Sequence, residues 1–178
     1  MKNLTLKKIS EICNGKLYAD KSIENIEISS ITTDSRKVEK DCMFVAIKGE
    51  RVDGNKFING AYEDGAIVCL SEDEPDKNSI NISEKNGYIV VKSCFQALKD
   101  IAEYYREVMN TKIVGITGSV GKTSTKEMLA AVMSEKFNTL KTQGNFNNEV
   151  GVPLTLFRLS EEHELAIVEM GISDFGEM

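Results

Sequence analysis

The stretch Gly115-Ile-Thr-Gly-Ser-Val-Gly-Lys-Thr-Ser124 decides how this chain reads. It follows the apolar run Lys112-Ile113-Val114 and opens onto a helix-like segment, residues 125–136. A strand, a glycine-rich turn and a helix in that order aim successive backbone N–H groups at one spot, and glycine takes the dihedrals such a turn needs. The helix adds the positive end of its dipole at the same place. Lys122 can reach the β- and γ-phosphates of a nucleotide, and the Thr123 hydroxyl can ligate Mg2+. The pattern G-x-x-x-x-G-K-[ST] would set its first glycine on Ile116, so the match rests on Thr117 to Ser124 and on the strand–turn–helix setting. A bare Gly-Lys-Thr is often an exposed helix start. In this setting a triphosphate cradle is expected, with ATP or GTP contacted by Thr117, Gly118, Ser119, Val120, Gly121, Lys122, Thr123 and Ser124.

The chain has 178 residues, enough for one ordinary domain or two small ones. Hydrophobic residues make up 41% and charged residues 28%, a composition that supports a core in a soluble chain. The net charge of −6 argues against general nucleic-acid binding, so an anionic ligand must be held by a local pocket. The four cysteines, Cys13, Cys42, Cys69 and Cys94, form no C-x-x-C pair and have no histidine cluster beside them, so no zinc site is expected. Cys42 and Cys69 lie in apolar strand-like runs and read as buried thiols in a reduced, cytoplasmic protein. The N-terminus lacks the apolar segment of a signal peptide, and no run approaches membrane-spanning length.

Ahead of the phosphate loop the pattern is mixed α/β. Leu4, Leu6, Ile9 and Ile12 predict a short amphipathic helix closed by Asn14-Gly15. Strands are expected at 27–33, 42–47, 66–70 and 88–91, a helix at 56–63, and a loop over the polar residues 71–86. Ser93 and Gln96 have the spacing of a capping box, and Phe95, Leu98, Ile101, Ala102, Tyr105 and Met109 then mark one helical face. A domain boundary is placed in or just after this helix, giving domains 1–92 and 93–178. The second part reads as strand (112–116), phosphate loop, helix (122–136), strand (138–141), Gly/Asn-rich loop (143–148), helix near 149–158 and strand (165–170). Strands alternating with helices imply a mostly parallel sheet.

Leu165-Ala-Ile-Val168 is uninterrupted and apolar, as a central parallel strand covered on both faces should be. Glu169 follows at its carboxyl end, where open α/β sheets bind ligands, and a carboxylate there can hold Mg2+ beside phosphates. Gln143-Gly-Asn-Phe-Asn-Asn148 packs Asn145, Asn147 and Asn148 into one loop, which is either a plain turn or a holder of a polar substrate group. His163, the sole histidine, sits in an acidic connector and is given no catalytic role.

Three stretches carry a resemblance. Thr117-Gly-Ser-Val-Gly-Lys-Thr123, then Lys141-Thr-Gln-Gly-Asn-Phe-Asn-Asn-Glu-Val-Gly-Val-Pro-Leu-Thr-Leu156, then Val168-Glu-Met-Gly171 with Phe175-Gly-Glu177, resemble a Mur ligase. Ile31-Thr-Thr-Asp-Ser-Arg36, Phe44-Val-Ala-Ile-Lys-Gly-Glu-Arg51 and Asp53-Gly54 are similar to the family's UDP-sugar-binding domain, with Asn55 where the family often has histidine. The amide-rich loop resembles the member that adds D-alanyl-D-alanine to UDP-N-acetylmuramoyl-tripeptide in peptidoglycan synthesis. The resemblance implies a monomeric, ATP- and Mg2+-dependent ligase of three domains, of which this chain is an N-terminal fragment, inactive alone. It implies an acyl phosphate intermediate. Lys122 and Glu169 would be catalytic, with Thr123 and Glu169 on the metal. Asp34, Ser35, Arg36, Lys48 and Gly49 would hold the UDP end, and Asn145, Asn147 and Asn148 the peptide end. Arg36 can equally be a structural partner of an acidic neighbour. Three other readings stay open: another ligase of the same family, a different phosphate-loop protein such as a small kinase or GTPase, and a module that holds a UDP-sugar or nucleotide without chemistry.

Overall fold

The computed structural model describes residues 1–49, 52–76 and 80–171. The resemblance-bearing Phe175-Gly-Glu177, the last two residues of the Phe44–Arg51 stretch and part of the 71–86 loop lie outside them. The chain divides into two units, Met1–Ile101 and Ala102–Met178. The helix Cys94–Met109 runs across that division.

The first unit contains α1 (Leu6–Ile12), β1 (Lys16–Tyr18), β2 (Ile31–Thr32), β3 (Met43–Val45), α2 (Ile58–Glu63), β4 (Val68–Ser71), β5 (Gly87–Val90) and the start of α3 (Cys94–Met109). The strands lie in the order β1-β5-β4-β3-β2. β2 to β5 are parallel, and only β1 runs against its neighbour, pairing Lys16 with Val90. Thr5 begins α1, its hydroxyl accepting from Lys8 N at 3.1 Å. Asn14 then takes a left-handed turn (φ 49°), a conformation asparagine tolerates better than most residues. Cys42, Phe44, Cys69 and Tyr88 share a buried cluster with Ile58 and Ala61 of α2.

Three local expectations change. The strand expected over 27–33 is only Ile31–Thr32, because Ile28 N donates to Leu4 O in an isolated antiparallel bridge, Thr5 with Glu27, and Ser29 N donates to Asp41 O. The helix expected over 56–63 is a 3-10 turn, Gly54–Phe57, followed by α2. Asp53 starts that turn, its carboxylate accepting from Asn55 N at 3.0 Å. β1 was not expected: its residues are exposed or half-buried, so no alternation of apolar residues announces it. Of the capping box, Gln96 N donates to Ser93 Oγ at 3.3 Å, while the Gln96 amide nitrogen donates to Asp100.

The second unit carries β6 (Lys112–Ile116), α4 (Lys122–Ser134), β7 (Thr139–Lys141), α5 (Gly151–Leu156) and β8 (Leu165–Glu169). Its sheet is parallel, in the order β6-β8-β7. β8 is central and buried at every position. Ile116, Ala130, Leu165 and Ile167 form the core, with Leu129, Met133 and Phe137 packed against it. The register decides what meets at the carboxyl edge. Ile116 pairs with Glu169 and Lys141 with Ile167, so the phosphate loop, Thr142 and Glu169 all leave the sheet on one side.

Candidate functional site

The phosphate loop leaves β6 at Ile116 and enters α4 through Gly121. Gly118 has φ 136° and Gly121 φ 79°, backbone conformations that a side chain strains. A Cβ at either would meet nothing within 4 Å, so these glycines are demanded by dihedral and the loop faces open space. No side chain caps α4, so its first N–H groups stay available to an anion at the positive end of the helix dipole. Lys122 Nζ donates to Gly118 O at 2.6 Å, folding the ammonium back over the loop.

Glu169 sits across from this loop and is 1% exposed. Its backbone N–H donates to Thr142 Oγ1 at 2.9 Å, which pins the strand end to the start of the amide-rich loop. Its Oε1 accepts from the Thr123 hydroxyl at 3.2 Å and from Asn147 Nδ2 at 2.9 Å. Its Oε2 is buried and accepts no hydrogen bond. Lys126 Nζ stands 3.5 Å from Oε2, with the lysine itself 1% exposed. Burial pushes the Glu169 carboxyl up. The bonds from Asn147 and Thr123 and the charge of Lys126 outweigh it, holding the group below its ordinary value.

The structure therefore brings Thr123, Asn147 and Glu169 together. Asn148 is turned elsewhere, its Oδ1 accepting from Gly151 N at 2.8 Å at the start of α5. Asn145 is exposed. A Cβ on Gly151 would lie 2.5 Å from the Phe146 backbone, so α5 packs tightly against this loop. His163 is a turn residue: Nδ1 accepts from Ser160 N at 3.1 Å.

In the first unit, Asp34, Ser35 and Arg36 follow β2, and Lys48 and Gly49 follow β3, so parallel neighbours deliver both groups to one carboxyl edge. Arg36 pairs with Asp34 through two bonds of 2.8 Å, Nε to Oδ1 and Nη2 to Oδ2. Hydrogen bonds from the Arg36 side chain lead the causes that bring the Asp34 carboxyl down to about 2. The ion-pair alternative for Arg36 is thus what the structure contains, with its guanidinium still largely exposed.

Lys126 is the residue the sequence reading missed. The signal was present: Lys126, Ala130, Met133 and Phe137 occupy one helical stripe, and a lysine in an apolar stripe must be paired or expelled. Among the described residues no group of three or more His, Cys, Asp or Glu side chains is arranged to hold a metal, and no helix is long and apolar enough to cross a membrane.

The Mur ligase middle domain matches residues 116–178, and the model described as Mur ligase family, catalytic domain, matches residues 27–106. The UDP-N-acetylmuramoyl-tripeptide--D-alanyl-D-alanine ligase of Bacillus subtilis (strain 168) is 39% identical over 98% of this chain, and that of Escherichia coli (strain K12) is 39% identical over 100% of it. The chain spans about 37% of the length of each of these curated relatives. A crystal structure of MurF from Acinetobacter baumannii superposes with a TM-score of 0.84 at 36% identity, covering 97% of this chain and 37% of that one. The Thermotoga maritima MurF, solved in complex with ADP, gives a TM-score of 0.71 at 32% identity over 82% of this chain and 32% of that one. With matching sequence in both units and the same fold, this chain belongs to the Mur ligase family.

Proposed function

We propose that these residues form the UDP-sugar-binding unit and the phosphate end of the ATP site of a cytoplasmic, monomeric ligase. It joins D-alanyl-D-alanine to UDP-N-acetylmuramoyl-tripeptide. The observation that carries the reading is the meeting of Thr123 and Glu169, at 3.2 Å, beside an open glycine cradle. Mg2+ fits the residues present: a hydroxyl and a carboxylate are hard oxygen donors, and the Thr123 hydroxyl and Glu169 Oε1 already lie 3.2 Å apart beside the cradle. Thr123 and Glu169 would hold it, and when bound it would neutralise phosphate charge.

The reaction must first join two anions, the terminal carboxylate of the tripeptide and the γ-phosphate, forming an acyl phosphate and releasing ADP. Positive charge and N–H donors held in place before reaction are therefore the main requirement. Backbone groups from Thr117 to Gly121 and the first turn of α4, Lys122 to Ser124, wrap the phosphates. Lys122 leaves the Gly118 carbonyl and spreads charge from them. Asn147 orients Glu169 from the loop, Asn148 fixes the loop to α5, and Asn145 faces the peptide end. Attack of the dipeptide amine on the acyl carbon then forms the amide and expels phosphate. Asp34, Ser35, Arg36, Lys48 and Gly49 line the sheet edge that takes the UDP end, with Arg36 presenting the outer side of its guanidinium.

The test uses a protein carrying these 178 residues together with the remaining length of its relatives. Steady-state ADP release, beyond the single equivalent that acyl phosphate formation yields, should require both the UDP-tripeptide and D-alanyl-D-alanine. Steady-state ADP release indifferent to the dipeptide would overturn the ligase reading and favour a plain phosphate-loop ATPase.

A further inference from the structure

Lys126 is buried where a lysine is expensive to bury. Its ammonium has three polar neighbours: Glu169 Oε2 at 3.5 Å, Glu127 Oε1 at 3.2 Å and the Gly144 carbonyl at 3.4 Å. Glu127 is half-exposed and also pairs with Lys141, so its charge is shared and screened. Glu169 is as deeply buried as Lys126, and the two form the dry part of the cluster. The two carboxylate oxygens have separate surroundings. Oε1 faces the hydroxyl of Thr123 and the amide of Asn147, while Oε2 faces the ammonium.

We propose that Lys126 is a resident counter-cation that positions Glu169 and keeps the site from loading a free divalent ion, so that the metal enters only together with nucleotide phosphates. This rests on the reading of Thr123 and Glu169 as metal ligands. The physical reason is charge balance. With the ammonium in place, the site offers a dication a carboxylate whose charge is already met, and the two cations repel at short range in a poorly screened setting. Phosphates in the glycine cradle add several negative charges beside Oε1 and reverse that balance. The fixed ammonium also holds the carboxylate so that Oε1, not Oε2, is presented to the cradle. Lys126 therefore acts through Glu169 and touches no reacting atom.

The test uses the 178-residue chain, with Mn2+ as probe and bound ion read by electron paramagnetic resonance, alone and with ADP. The original chain should take up Mn2+ with ADP and bind free Mn2+ weakly. Lys126→Met should bind free Mn2+ at least about tenfold more tightly, the direction that removing a nearby positive charge dictates. Lys126→Arg should behave as the original, and Lys126→Met with Glu169→Gln should lose the gain. Equal free-Mn2+ affinity in Lys126→Met and the original chain, or a gain that survives Glu169→Gln, would overturn the proposal. If Lys126→Met unfolds alone, recovery of its folded state by millimolar Mn2+ supports the proposal, since the ion then replaces the ammonium, and failure to recover overturns it. Failure of the original chain to take up Mn2+ even with ADP strikes instead at the metal-site reading.

Discussion

At the scale of single residues, the site is governed by how few groups satisfy one buried carboxylate. Glu169 has a backbone partner in Thr142 and side-chain partners in Thr123 and Asn147. Thr142→Val keeps the shape but leaves the Glu169 N–H without an acceptor, a loss of about 1–3 kcal/mol in a buried position. Chemical denaturation of the chain should show that loss, and an unchanged midpoint would mean that water enters the strand end. Asp34 offers a separate check. Its carboxyl is held near 2 in the folded state, below the ordinary value. The sign follows: the Arg36 pairing contributes stability above the unfolded pKa of Asp34, and that contribution is lost as pH falls toward 2. Carboxyl chemical shifts should keep Asp34 ionised at pH 3, and Arg36→Ala should return its titration to the ordinary carboxylate range. The phosphate loop and Glu169 were legible from sequence because glycine dihedrals and a strand-end carboxylate leave local marks. Lys126 left a mark as a lysine in an apolar stripe, but its partner stands 43 positions away in the chain, so sequence alone does not say whether it is paired or expelled. Asn148 looks like Asn145 and Asn147 in sequence, and only the structure separates them: Asn148 accepts from Gly151 N at the start of α5, while Asn147 donates to Glu169.

At the scale of elements, the parallel register does the positioning. Ile116 opposite Glu169 sets the loop beside the carboxylate without any long side chain having to reach. The loop must then turn into α4 through Gly121 at φ 79°. Gly121→Ala forces a side chain into the left-handed region at a cost of about 1–2 kcal/mol. It should also weaken ADP binding far more than it lowers the melting temperature, because the strain is relieved by moving the N–H groups that face the phosphate. Calorimetric titration with ADP and Mg2+ reads this, and unaltered affinity would show that the loop's shape is set elsewhere. The buried strands β4 and β8 were readable from apolar runs, α3 from its helical face and α4 from its place after the glycine turn. β1 and the shortened β2 were not: β1 has no buried face, and the residues before Ile31 give their N–H groups to loop carbonyls.

At the scale of the whole molecule, two units each gather loops at the carboxyl ends of parallel strands. Such edges collect loops and helix starts, which explains why unlike ligands can be taken by related architecture. Hydrogen exchange on the 178-residue chain should therefore give two separate footprints. A UDP-sugar should slow exchange after β2 and β3, and ADP with Mg2+ should slow it from Gly118 to Thr125. A single footprint common to both ligands would contradict the division of labour. The mixed α/β class and the presence of two parts could be read from the order of strands and helices. The division falls inside α3, and the boundary expected from sequence was set in or just after that helix.

The thiols have a practical consequence. All four cysteines are free, and three of them, Cys42, Cys69 and Cys94, are buried. Burial is the first cause that raises each, with Cys13 and Cys94 pushed up to about 12. Since only thiolate attacks alkylating reagents, maleimides should label the native protein slowly at neutral pH, with the half-buried Cys13 the first to react. Val120, 90% exposed at the tip of the glycine turn, can then be replaced by cysteine and tagged with a fluorophore without stripping the natural sulfur atoms. Such a dye would watch each nucleotide arrive and leave in real time.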